Sequence, residues 1–143
     1  MAFRIAIRAV KHIRALVAVG GLFAAFVLPS AASPTDPTVK HGNVVVKPGP
    51  NVTTIEQLTS RAIIDWRSFS INPNEAVRIL QPGQLSIILN RVTGGDPSII
   101  RGQLSATGQV FLLNPNGVLF TPTSVVNTAG LLVSTLKMSD LSL

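Results

Sequence analysis

The sequence predicts an all-β domain built from many short strands. From Arg61 onward, short apolar runs end at Gly, Pro, Asn or Ser, and none keeps a 3.6-residue period. Turn residues recur at regular distances, because Pro73 and Pro115 are 42 residues apart and Gly108 and Gly130 are 22 apart. One turn of a parallel β-helix uses about 20 residues, and such solenoids bury their core by stacking turns. A β-sandwich or barrel, with strands roughly every 8 to 12 residues, is the alternative on these observations.

Residues 1–32 predict a helical secretory signal peptide. A basic stretch ending at Arg14 precedes an uncharged apolar run over 15–28. This run is shorter than the roughly 20 residues of a membrane-spanning helix, which favours export and removal. Ser30 and Ala32 are small residues at the two positions that signal peptidase reads, so we expect cleavage between Ala32 and Ser33.

The charge distribution argues against nucleic-acid binding. The net charge is +6, but Arg4, Arg8, Lys11 and Arg14 lie in the predicted signal peptide, which contains no acidic residue. After the cleavage point, the remaining eight basic residues face six acidic ones and are scattered singly along the chain. Nucleic-acid binding requires a clustered basic face, so no nucleic-acid partner is predicted.

The mature chain offers little for catalysis or metal binding. It has no cysteine, which excludes disulfides and thiolate metal sites, and His41 is its only histidine. Asp65 lies within an apolar run, where it points outward or pairs with an arginine, and Asp96 lies in a Gly-Gly-Asp-Pro turn. A β-helical polysaccharide lyase would need both aspartates and an arginine in one groove. We therefore predict no enzyme activity, no metal and no cofactor.

The order of elements follows from the turn residues. Residues 33–60 predict an extended segment and N-terminal cap, because 33–50 contains four prolines and two glycines, with one strand at 43–46. Residues 61–143 predict an incomplete β-helical domain. Its predicted strands are 62–66, 69–71, 76–80, 85–89, 98–100, 109–113, 117–120, 124–126 and 131–135.

Two asparagine motifs stand at predicted turns. The first is Asn72, Pro73 and Asn74; the second is Asn114, Pro115, Asn116 and Gly117. Proline fixes φ near −65°, and Asn-Gly readily adopts a positive φ, so the second motif predicts a stiff corner. Such a corner either simply joins two strands or also serves as a recognition element.

The residues around these motifs resemble a known family. The matching segments are 60–71, 89–94, 96–98, 102–104, 108–120, 126–127 and 130–136, in that order. They resemble the amino-terminal two-partner secretion domain of filamentous-haemagglutinin-type exoproteins, also called the haemagglutination activity domain. The resemblance implies a right-handed parallel β-helix of the pectin-lyase type, and an N-terminal fragment of a large exoprotein.

The resemblance also implies a function. Such a domain is the secretion signal and folding nucleus of its exoprotein. The inner-membrane Sec machinery exports it, and POTRA domains of a cognate outer-membrane β-barrel transporter recognise it in the periplasm. The destination is then the surface or medium of a Gram-negative-type bacterium. Asn114, Pro115, Asn116 and Gly117 carry over as the secretion motif, with Asn72, Pro73 and Asn74 as a weaker one. The alternatives are an adhesin module that binds glycans on host or neighbouring cells, and the polysaccharide lyase.

Overall fold

Short strands that alternate inward and outward side chains wind into a parallel β-helix. The computed structural model describes residues 33–137, which form an all-β solenoid of four successive turns, with no helix in that range. The strands are β1 (Thr38–His41), β2 (Val44–Lys47), β3 (Val52–Gln57), β4 (Arg61–Trp66), β5 (Ala76–Leu80), β6 (Ile87–Val92), β7 (Ser98–Ile100), β8 (Gln103–Ala106), β9 (Gln109–Leu113), β10 (Val118–Phe120), β11 (Val125–Asn127) and β12 (Gly130–Ser134).

Three sheets form the faces of the solenoid. Sheet 1 has the order β1-β4-β6-β9-β12, sheet 2 has β2-β3-β5-β8-β11, and sheet 3 pairs β7 with β10. All pairings between successive turns are parallel, whereas β1 and β2 pair antiparallel with β4 and β3. The predicted parallel β-helix is therefore confirmed, and the sandwich alternative is wrong.

The core lies between the three sheets. Inward side chains of sheet 1 alternate with outward ones, so Ala62, Ile64 and Trp66 of β4 all enter the main apolar cluster. The Trp66 indole donates a 2.9 Å hydrogen bond from Nε1 to Oδ1 of Asn90, which is fully buried on the next turn. Trp66 also packs edge-on against Phe69, with ring centroids 5.6 Å apart.

The segment 33–60, predicted to be extended with one strand at 43–46, contains three strands. The prediction missed β1 because all four of its residues are exposed, so its sequence shows no alternation. It missed β3 although Thr53, Ile55 and Gln57 are buried at alternate positions, because two of these three are polar. The antiparallel partners β1 and β2 occupy the N-terminal edges of sheets 1 and 2.

The later strands follow the prediction closely, and only three differences exceed a one-residue shift of a boundary. Strands at 76–80, 98–100 and 109–113 coincide with β5, β7 and β9. Residues 69–71 are not a strand, because only Ile71 forms a bridge, to Ile100. The strand predicted at 85–89 begins later, at Ile87, since Leu85 is an exposed turn residue. Strand β8 was missed because only Leu104 among its four residues is fully buried.

The length of a turn varies along the solenoid. Arg61, Ile87, Gln109 and Gly130 occupy equivalent positions of sheet 1, so successive turns there span 26, 22 and 21 residues. The predicted repeat of about 20 residues is thus reached only toward the C-terminal end. The predicted signal peptide, including Ala32 on one side of its cleavage bond, lies outside the described residues, as do residues 138–143. Within residues 33–137, no helix is long and apolar enough to cross a membrane.

Candidate functional site

Asn114 stands at the corner where β9 of sheet 1 leads into β10 of sheet 3. Its side chain is fully buried. Nδ2 donates to the carbonyl oxygen of Asp96 at 3.0 Å and to Oγ of Ser98 at 2.9 Å. Oδ1 accepts from the backbone nitrogen of Asn116 at 3.0 Å. The backbone nitrogen of Asn114 donates to the carbonyl of Ser134 at 3.0 Å. Asn114 is therefore hydrogen-bonded both to the preceding and to the following turn of the solenoid.

The rest of this motif completes a tight turn. The Gly117 nitrogen donates to the Asn114 carbonyl at 3.0 Å, which closes a four-residue turn. Gly117 adopts a φ of 108°, a value that strains other residues, and this explains the glycine. Asn116 is exposed, yet its Nδ2 donates to the Gly94 carbonyl at 2.8 Å and to Oδ1 of Asn114 at 3.1 Å. The predicted corner is therefore present and is held by side-chain amides.

The Asn72 motif occupies a different corner of the solenoid. It follows Ile71, which stacks beside Ile100, and leads into β5 of sheet 2. Here the Glu75 nitrogen donates to the Asn72 carbonyl at 3.0 Å, and the Asn72 nitrogen donates to the Glu75 carboxylate at 3.1 Å. Pro73 and Asn74 are exposed. In the described part of the chain, the hydrogen bonds that close this turn come from backbone groups and the Glu75 carboxylate, not from asparagine side chains.

The two motifs are therefore not repeats of each other. The stacked counterpart of the Asn72 corner is the turn at Thr121, where the Ser124 nitrogen donates to the Thr121 carbonyl at 3.0 Å. The 42-residue distance between Pro73 and Pro115 joins two different corners, so the repeat it suggested is coincidental. The two motifs share the sequence Asn-Pro-Asn, and that local pattern does not distinguish one corner of the solenoid from another.

Asn114 has partners that the sequence did not single out. Ser98 begins β7, is completely buried and accepts from Asn114, as does the Asp96 carbonyl. The Gly94 carbonyl accepts instead from Asn116 of the same motif. From its residue types alone, the Gly-Gly-Asp-Pro segment is a plain turn. Its backbone forms the surface against which the motif packs, and backbone acceptors leave no signal in the residue types.

A groove of about 400 Å³ lies beside the corner. It is lined in part by Asp65, Arg91, Leu113, Asn116 and Lys137. Arg91 donates from Nε to Oδ1 of Asp65 at 2.6 Å, and both side chains are about one-sixth exposed. Asp65 thus pairs with an arginine, which is one of the two arrangements predicted for it from the sequence. The second aspartate of the lyase hypothesis, Asp96, does not line this groove, and no group of three potential metal-ligating side chains occurs within residues 33–137.

Comparison with known proteins assigns the family. The sequence profile of the TPS secretion domain matches residues 27–141. The chain belongs to this family. It is similar to the solved HMW1 secretion domain of Haemophilus influenzae, at 38% identity and a TM-score of 0.73 over 76% of this chain and 29% of that one. The predicted resemblance is confirmed, and so is the assignment to domains that direct exoproteins through two-partner secretion.

Two curated proteins are also similar to this chain. Both are named Heme/hemopexin-binding protein, one from Haemophilus influenzae strain Rd and the other from Haemophilus influenzae. The first is 42% identical over 109 residues, covering 76% of this chain and 12% of that protein. The second is 44% identical over 89 residues, covering 62% and 10%. The chain therefore spans about a tenth of the length of these relatives.

Proposed function

We propose that residues 33–137 are a secretion signal that a cognate outer-membrane transporter reads before the solenoid folds. The observation that carries this proposal is the complete burial of Asn114, whose side-chain amide nitrogen and oxygen both have hydrogen-bond partners within the fold. A partner cannot contact that side chain in the folded domain. If the transporter recognises Asn114, it does so in an extended chain, in the periplasm.

Folding then follows outside the cell. The corner at Asn114 joins the turn before it, through Asp96 and Ser98, to the turn after it, through Ser134. Forming these bonds fixes the stacking of three turns at once, which suits a folding nucleus, because a solenoid grows by adding neighbours. The same residues would serve recognition when extended and stacking when folded.

Secretion with a cognate transporter tests the proposal. We expect Asn114→Ala and Asn116→Ala to lower the amount of protein in the medium at least about tenfold. Asn127→Ala is the matched control for Asn116→Ala, since both residues are exposed and Asn127 lies on β11, away from the corner. Unchanged export of both corner variants would refute the motif's role.

A binding measurement separates recognition from folding. The unfolded chain is titrated with the periplasmic POTRA domains of the transporter. If the motif is read directly, Asn114→Ala weakens binding of the unfolded chain. If binding is unchanged while secretion falls, the motif acts through folding alone, and the recognition half of the proposal is wrong.

The relatives are named for binding heme or hemopexin, and this chain matches only about a tenth of the length of each. Export through the periplasm to the surface or medium follows from the proposed secretion role.

A further inference from the structure

Asn116 is the only asparagine in the chain that is followed by glycine. In such a pair the glycine backbone nitrogen can attack the asparagine side chain, because glycine has no Cβ to hinder the approach. We propose that Asn116 is a site of spontaneous deamidation, which the folded corner protects and the unfolded chain exposes. This inference goes beyond the secretion role and does not depend on it.

The reaction needs only water. The Gly117 nitrogen forms a bond to Cγ of Asn116, the bond from Cγ to Nδ2 breaks, and ammonia leaves with the proton from the Gly117 nitrogen. The product is a five-membered succinimide. Water then opens the ring at either carbonyl, which restores the backbone N–H and yields aspartate or isoaspartate. One water is consumed and one ammonia is released.

The fold engages both reacting nitrogens. The Gly117 N–H is held by the Asn114 carbonyl at 3.0 Å. The leaving nitrogen, Nδ2 of Asn116, is held by the Gly94 carbonyl at 2.8 Å and by Oδ1 of Asn114 at 3.1 Å. The attack requires the Gly117 N–H to leave the Asn114 carbonyl and the Asn116 side chain to rotate away from its two acceptors. Exposure of Asn116 to water is therefore insufficient, and the corner must open first.

Deamidation would prevent the corner from re-forming. A carboxylate at position 116 cannot donate, and it would face two acceptors, the Gly94 carbonyl and Oδ1 of Asn114. Isoaspartate would also add an atom to the backbone of a closed four-residue turn. A chain that stays unfolded would progressively lose its ability to complete the solenoid.

Peptide mapping by mass spectrometry tests the site and its protection. The full chain is incubated in mildly alkaline buffer with and without unfolding urea, and the buried Trp66 reports folding by fluorescence. Asn74 and Asn127 are exposed internal references, followed by Glu75 and Thr128. In urea, we expect Asn116 to deamidate at least about tenfold faster than either reference, because only its neighbour lacks a Cβ. Without urea its rate should fall at least about tenfold, equivalent to about 1.4 kcal/mol of local opening.

Three results would overturn parts of the proposal. Equal rates for Asn116 in folded and unfolded chains would exclude protection. If Asn116 deamidates in urea no faster than Asn74 and Asn127, it is not a favoured deamidation site. Gly117→Ala should slow deamidation of Asn116 in urea, where the variant does not need to fold. Asn116→Asp reproduces one product, so its refolding yield should fall while that of Asn127→Asp does not. Equal refolding of the two variants would exclude the consequence for folding.

Discussion

At the scale of single residues, a buried amide contributes more to this fold than an exposed one of the same type. Asn114 is fully buried and uses both ends of its side chain, whereas Asn74 is exposed at its own corner. Removing a buried hydrogen-bonding group leaves its partners unsatisfied, here the Ser98 hydroxyl and the Asp96 carbonyl. The two asparagine motifs should therefore differ sharply in their effect on stability.

We expect Asn114→Ala to lower the free energy of unfolding by about 2–4 kcal/mol, because several buried polar groups lose their partner. Asn74→Ala should change it by less than about 0.5 kcal/mol, as surface substitutions do. Urea unfolding followed by Trp66 fluorescence measures both. Asn114→Asp refines the test, since the carboxylate keeps the shape but cannot donate to Asp96. Equal effects of the two alanine variants would contradict the assigned asymmetry.

At the scale of elements, the corner before β8 depends on a close approach between turns. The Gly102 nitrogen donates to the Ile71 carbonyl at 3.2 Å. A Cβ placed on Gly102 would collide with the carbonyl oxygens of Asn72 and Glu75, which belong to backbone and cannot move aside easily. A Cβ placed on Gly95, in the loop between β6 and β7, would meet only open space.

Gly102→Ala should therefore destabilise the domain by about 2 kcal/mol or more, through overpacking against backbone. Gly95→Ala is the matched control, because it makes the same chemical change without a collision. Its effect should lie within about 0.5 kcal/mol of zero. Thermal unfolding of the two variants beside the parent chain measures this. A tolerated alanine at position 102 would mean that the turns can separate there at little cost.

The elements also show what the sequence could and could not predict. Strands with clear alternation, such as β5 and β9, were predicted to the residue because alternation and turn residues are local signals. Strands β1 and β8 were missed, since each acquires its structure by pairing with a neighbour rather than from its own pattern. The Asn114 corner was predicted as a turn, but its partners on adjacent turns depend on stacking, which no local pattern contains.

At the scale of the whole domain, the two ends of the described solenoid differ. The N-terminal edges of sheets 1 and 2 carry the antiparallel strands β1 and β2. At the other end, within residues 33–137, β11 and β12 are edge strands with no further partner. The apolar side chains there are more than one-third exposed, namely Val125, Val126, Leu131, Leu132 and Val133. Exposed apolar edge strands are templates for pairing with another chain.

We expect a polypeptide of residues 33–137 to self-associate through this edge as its concentration rises. Leu132→Lys places a charge on β12, and charged residues on an edge oppose pairing, so association should weaken at least about tenfold, or about 1.4 kcal/mol. Leu85→Lys is the control, because Leu85 is even more exposed but lies in the turn before β6. Sedimentation velocity over a concentration series distinguishes the three proteins. If the parent chain stays monomeric throughout, or if both lysine variants weaken association equally, the edge formed by β11 and β12 is not the contact surface.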